Sequence, residues 1–272
     1  MFHENGSLLL RSVTSDRYSR IWNYELAQRL LDLQTRGWEP ARPDKHWDGQ
    51  TAAVGTCILC DGRGTSFDNG EKCEKCNGTG HEYPALYASD HDMFAFVRNK
   101  SAVIREPGNP DGLQRGVIVE NSEVGACSLR MTRFLYREMC GNHIIWGASN
   151  VLEISLRHVG DIRSRFSAYA AAIRKYAESS VSDEEAQIAS SKTRLIAKTK
   201  EEVLDMLFGK RLNIPRKTLE AGYDACKPDQ DGDPNTVWGI VQGLTRHSQT
   251  LPYADQRTTV DRAAGKLLTI AF

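Results

Sequence analysis

Two copies of one short pattern constrain this chain more than any other feature. Cys57-Ile58-Leu59-Cys60-Asp61-Gly62-Arg63-Gly64 is followed by Cys73-Glu74-Lys75-Cys76-Asn77-Gly78-Thr79-Gly80, and each half reads C-x-x-C-x-G-x-G. Two residues between cysteines let both thiolates of a tight turn face one ion, and the glycines admit the backbone conformations that such a turn needs. Four thiolates complete a tetrahedral shell and leave no open position. The expected cofactor is therefore one structural Zn2+ held by Cys57, Cys60, Cys73 and Cys76. The gap of 12 residues between the pairs is shorter than the roughly 15–20 most often met, and two matching knuckles outweigh that. Residues 55–81 are rich in Gly, Cys and charge and poor in apolar side chains, so they form an insertion that needs a metal to hold its shape. Two redox dithiols and an iron–sulfur cluster are the competing readings, and paired knuckles suit zinc better than either.

The cysteine count is seven, and Cys127, Cys140 and Cys226 are scattered outside the knuckles. An odd count with two C-x-x-C pairs points to a reducing compartment and a metal site rather than a disulfide framework. Residues 1–7 are polar and carry no apolar signal core, and no apolar run approaches the roughly 20 residues that span a bilayer. The expectation is a cytoplasmic protein, in a bacterial host cell, without a membrane partner.

The remainder reads as one α+β domain over residues 1–272. A hairpin is expected over 8–21, with Ser15-Asp16 as its turn, and a helix over 24–36, capped by Asn23 and stopped by Gly37. Strands are expected over 83–97 and 116–120, separated by a turn region over 105–112, and one or two more over 128–146. After Gly160 the pattern turns helical. Phe166, Tyr169, Ile173 and Tyr176 share one face of a helix over 162–179. Ser182 and Glu185 make a capping-box pattern that opens a helix towards Phe208, and two final helices are expected over 235–248 and 255–268. Strands first and helices later predict an antiparallel sheet from the N-terminal half, packed by C-terminal helices, with the zinc-knuckle loop inserted.

Charge is balanced, with 35 basic and 35 acidic residues, so net charge selects no partner. Locally it does more. The 57–80 segment holds three basic and four acidic residues, and a zinc tetrathiolate adds two negative charges, which makes it a poor phosphate cradle and a better protein-docking knob. The one basic stretch is 129–175. Arg130, Arg133, Arg137, Arg157, Arg163 and Arg165 are its candidate nucleic-acid contacts, interleaved with Phe134, Tyr136, Tyr169 and Tyr176, which could stack on bases. The competing reading is a solvated basic face over aromatic core residues. Cys140 with Asn142, His143 and His158 invites a nucleophilic site, but no base and orienting group can be assigned, and a buried structural Cys fits as well. No phosphate loop, H-E-x-x-H, G-x-S-x-G or paired acidic motif is present.

Two resemblances carry further. The C-x-x-C-x-G-x-G halves resemble part of the cysteine-rich region of J-domain co-chaperones. No His-Pro-Asp signature accompanies them, so the likeness implies the zinc fold and not co-chaperone activity. Ser15-Asp16-Arg17-Tyr18 with Asn23, Arg137-x-x-Cys140-x-Asn142, Arg157-His158, Thr236-Val237-Trp238 with Thr245, and Arg262 with Gly265 together resemble the phage- and plasmid-borne domain of unknown function 932. That likeness implies a phage or prophage accessory protein and supplies no mechanism. The leading functional expectation is nucleic-acid binding in single-strand annealing, recombination or replication support. The alternative is a non-enzymatic, protein-binding inhibitor of a host defence complex. Self-association is left open.

Overall fold

The computed structural model describes residues 2–4, 7–9, 12–41, 55–57, 59–67, 69–73, 80–82, 86–137, 142–145, 154–162, 164–210, 212–251 and 253–272. In chain order the strands are β1 (Phe2–Glu4), β2 (Ser7–Leu9), β3 (Trp38–Pro40), β4 (Gly55–Thr56), β5 (His81–Glu82), β6 (Leu86–Ala88), β7 (Met93–Glu106), β8 (Asn109–Asn121), β9 (Leu129–Arg137), β10 (Asn142–Ile145) and β11 (Ile154–Leu156). The helix α1 (Asn23–Leu31) precedes β3, with a 3-10 turn at Gln34–Arg36 between them. The others follow the strands: α2 (Phe166–Glu178), α3 (Ser182–Thr193), α4 (Lys200–Gly209), α5 (Arg216–Ala225), α6 (Pro228–Asp231), α7 (Val237–Ser248) and α8 (Ala254–Leu267).

Seven strands form one antiparallel sheet in the order β10-β9-β8-β7-β3, with β11 also pairing β9 and β6 also pairing β7. Its spine is the β7–β8 hairpin, paired from Met93↔Asn121 to Glu106↔Asn109. The turn region expected over 105–112 tightens to Pro107 and Gly108, because both flanking strands run further than their apolar alternation suggests. Asn109 secures the turn by donating to Glu106 Oε2 at 2.8 Å and to the Gly112 carbonyl at 2.9 Å.

Side-chain alternation divides the sheet into two faces. On one face Met93, Ala95, Val97, Val117, Val119, Leu129 and Met131 pack under α1 and α2 through Leu26, Tyr169, Ile173 and Tyr176, joined by Leu33 from the cap of the 3-10 turn. Further along, Ile104, Leu113 and Leu135 pack with Ile188, Leu207, Trp238, Val241 and Leu267 of the C-terminal helices. The opposite face carries an aromatic layer of Phe94, Phe96, Phe134 and Tyr136 with Ile118. Gly116 pairs with Phe134, whose ring lies over it, and a Cβ there would sit 2.3 Å from that ring. The glycine thus gives the aromatic ring its seat against the backbone.

The sheet-then-helices architecture matches the expectation, and three local readings change. The N-terminal hairpin is β1–β2, which shares only Leu8 and Leu9 with the expected 8–21 span, because Ser15 and Tyr18 form a turn that docks elsewhere. Asn23 is inside α1 and Trp22 holds the cap position, while the Asn23 side chain accepts from Asn121 Nδ2 at 2.8 Å. The helix expected from Ser182 to Phe208 is two helices. Backbone bonds from Ile196 to Asn235 and from Val237 to Arg194 pull the chain straight between them, and Thr199 with Glu202 forms the capping box that starts α4. Glu185, read as a capping partner, accepts instead from the Arg105 amide at 3.0 Å. Among the described residues no helix is long and apolar enough to cross a membrane.

Candidate metal centre

The loop between β4 and β5 closes on three thiols. Cys57, Cys60 and Cys73 are buried, and their sulfur atoms all lie within 4.8 Å of one another. Cys57 Sγ and Cys73 Sγ are 3.9 Å apart. A tetrahedral ion with metal–sulfur bonds of about 2.3 Å sets its sulfurs about 3.8 Å apart, whereas a disulfide needs about 2.05 Å. The spacing thus suits a shared ion and not a crosslink. Cys76, the fourth ligand expected from the sequence, lies outside the described residues.

Backbone bonds hold this shape. Pairing of Gly55 with Glu82 and Thr56 with His81 clamps the loop's base, and the Cys57 amide donates to the Gly80 carbonyl at 2.9 Å. The Gly64 amide donates to Cys60 Sγ at 3.3 Å. Gly80 has φ of 75°, and a Cβ there would lie 2.2 Å from the Gly62 carbonyl, so the two knuckles can approach only through glycine. Three sulfurs converging in a loop with almost no other core can hold a metal ion.

The six candidate arginines do not share one surface. Arg137 is interior: Nη1 donates to Asp231 Oδ1 at 2.7 Å and Nη2 to the Gln230 carbonyl at 2.8 Å, while Nε lies 3.2 Å from Glu106 Oε2. Arg130 lies on the other face of β9 and donates to Glu120 Oε2 at 3.2 Å. Arg133 is half-buried over the Tyr176 ring at 4.7 Å, and desolvation lowers its pKa. Arg157 and Arg165 are exposed, and Arg163 lies outside the described residues. Phe134, Tyr136, Tyr169 and Tyr176 are all core residues. The aromatic residues of that stretch are core, as the competing reading expected, but its arginines are not one solvated face: Arg137 is buried, Arg130 and Arg133 are half-buried, and Arg157 and Arg165 are exposed.

Cys140 also falls outside the described residues, as does the side chain of His143. Of the other cysteines, burial pushes the Cys127 thiol up to about 11 and that of Cys226 up to about 12, which leaves neither a thiolate near neutral pH.

A family model described as "Domain of unknown function (DUF932)" matches residues 77–264, more than half of the chain. The chain belongs to the DUF932 family. No curated protein and no solved structure matches it. The match begins just beyond Cys76, so Cys57, Cys60 and Cys73 lie outside it.

The phrases that resemble DUF932 turn out to be pins between distant segments. The Tyr18 ring stacks on His158 at 5.0 Å, its hydroxyl donates to the Ser122 carbonyl at 2.7 Å, and His158 Nδ1 lies 3.1 Å from the Ser19 carbonyl. Burial lowers the His158 pKa, so it stays neutral at pH 7. Arg262 of α8 pairs with Glu120 of β8. Arg137 and Trp238 meet at Glu106, whose carboxylate also accepts from the indole at 3.0 Å and lies 3.2 Å from Lys192 Nζ. Arg246 closes this buried hub, donating to Asp231 Oδ2 at 2.9 Å. Glu106, Asp231 and Arg246 carry no motif of their own, and of this hub Arg137 and Trp238 alone belong to the motifs that resemble DUF932.

Asp261 is a second interior carboxyl. It is fully buried, accepts from the Ser248 hydroxyl, and desolvation raises its pKa well above the usual carboxylate range. In the unfolded chain an Asp titrates near ~3.9. The native state therefore holds the proton over a window where the unfolded state has lost it, and stability from this group falls as pH rises above ~4. Asp261→Asn removes that slope. The advantage of the native chain over Asp261→Asn in urea unfolding should shrink from pH 4 to pH 7. A pH-independent difference would show that this carboxyl is not held protonated.

Proposed function

We propose that this DUF932 protein is a non-enzymatic binding protein whose metal-clipped loop docks on a protein partner. The carrying observation is exposure. Leu59 and Phe67, on the loop built around the buried thiols, are 56% and 60% exposed. The Phe67 ring is held by Arg63, whose guanidinium stacks 3.2 Å from its centroid. Large apolar groups on an acidic loop make a small hot spot with an electrostatic rim suited to a basic partner. Asp61 and Glu71 supply exposed acidic charge beside them. The ion proposed for the site is Zn2+, which the three converging thiols favour and whose tetrahedral shell Cys76 would complete. An inhibitor of a host defence complex is one protein of this kind.

The test is affinity capture from a bacterial host lysate with the intact chain and with Leu59→Ser/Phe67→Ser. A specific captured protein that is lost in the double variant, while metal content and melting temperature are kept, supports docking through the loop. Equal capture by both proteins removes the loop from the interface.

Nucleic-acid binding is kept as a second reading because α2 presents Arg174 and Lys175 to solvent, with Arg165 exposed at its N-cap and Arg157 exposed before it. It requires salt-sensitive binding of single- or double-stranded oligonucleotides that weakens in Arg165→Ala. Absence of binding at low salt ends it.

A further inference from the structure

Between α1 and α2 the sheet is only partly covered, and a cavity of about 610 Å³ remains. Its floor is apolar: Leu26, Leu33, Trp38, Val119 and Ile173 line it, and each is buried. Small-molecule sites typically enclose about 300–1,000 Å³ with apolar walls and a few convergent polar groups. The Tyr169 ring also lines the cavity, but its hydroxyl is spent on the Leu129 and Ile154 carbonyls, at 3.0 and 3.2 Å.

The polar groups that remain are distinctive. Arg36, from the 3-10 turn after α1, and Arg174, from α2, both line the cavity and are exposed. Among the described residues neither guanidinium has an ion pair or a hydrogen bond. Elsewhere the guanidinium groups of Arg98, Arg115, Arg130, Arg137, Arg246 and Arg262 are matched to carboxylates. At this rim Arg29 is already balanced by Asp32 at 4.0 Å, and Glu178 is the one other acid. Two uncommitted guanidinium groups against one carboxylate leave a positive rim over an apolar floor. Guanidinium favours carboxylate, phosphate and sulfonate through paired N–H donors.

We propose that the cavity between α1 and α2 binds a small amphipathic anion, with its apolar body against Trp38 and Ile173 and its anionic head between Arg36 and Arg174. This site is separate from the metal-clipped loop and does not depend on what that loop binds.

The probe is 1-anilinonaphthalene-8-sulfonate, an aryl body with one sulfonate, titrated against the full chain. The uncharged N-phenyl-1-naphthylamine is the control. Saturable one-to-one binding of the sulfonate is expected, weakened roughly tenfold or more in Arg36→Glu/Arg174→Glu, with the uncharged probe indifferent to that change. Both arginines are exposed, so the double variant should keep the native circular dichroism and melting temperature. Ala177→Trp, which fills the cavity, should reduce binding of both probes. Absence of saturable binding overturns the proposal, as does sulfonate binding that the charge reversal leaves unchanged.

Discussion

Asp231→Ala is expected to destabilise the protein by about 3–5 kcal/mol, because it strips buried Arg246 of its carboxylate partner and Arg137 of one of its two. Asp231 has a wholly buried side chain and accepts from Arg137 at 2.7 Å and from Arg246 at 2.9 Å. It also accepts from the Lys227 amide at 2.9 Å, so the carboxylate fixes the α5–α6 junction to β9 and α7. Removing it leaves positive charge in a low-dielectric interior, and such uncompensated charge costs more than the intact pair contributes. With typical domains stable by about 5–15 kcal/mol, a loss of that size should move the urea midpoint far down. Arg137→Ala and Asp231→Ala should also be strongly non-additive in a double-mutant cycle. A loss below about 1 kcal/mol, as for exposed ion pairs, would mean that water reaches the hub.

Arg115→Ala is expected to have an effect of similar size, about 3–5 kcal/mol, at the other end of the helical layer. Arg115 is buried in β8 and pairs with Glu184 at 2.8 Å. The same guanidinium donates to the carbonyls of Tyr176, Ser179 and Ser180, each at 2.7 Å. It therefore caps the C-terminus of α2 and the turn into α3, satisfying carbonyls that the helix cannot. The variant should lower the urea midpoint and accelerate amide exchange in the 176–185 turn. Arg115→Lys should rescue little, because one ammonium cannot serve acceptors arranged around a planar fork. Full rescue by lysine would show that charge alone, not the fork, holds the turn.

Both sites explain what was legible in the sequence and what was not. The knuckles could be read because their chemistry is local: cysteine and glycine spacing within one loop determines which thiols face inward. The division into sheet and helices could be read from periodicity for the same reason. The arginines of β9 could not, because their meaning depends on partners far along the chain. Arg130 meets Glu120 ten residues away, but Arg137 meets Asp231 at a separation of 94, and Arg115 of β8 likewise meets Glu184 at 69. A cluster of like charge in sequence is dispersed by strand alternation, which sends Arg130 to one face and Arg133 and Arg137 to the other. The split of the 182–208 helix was hidden in a similar way. Ser182 with Glu185 imitates a cap, while Thr199 with Glu202, which does cap α4, lies inside the same polar run. The phrases resembling DUF932 were recognisable as words, but their role as pins appears only when Tyr18 meets His158 and Trp238 meets Glu106 in space.

The loop built around Cys57, Cys60 and Cys73 is the feature on which the proposed docking function stands. Its most direct test is metal analysis of the purified full chain, combined with native thiol labelling before and after chelation. One zinc per chain is predicted, with Cys57, Cys60, Cys73 and Cys76 protected until the metal is removed and reactive afterwards. Folded protein that contains no metal, with those four thiols freely reactive or joined in disulfides, would contradict it.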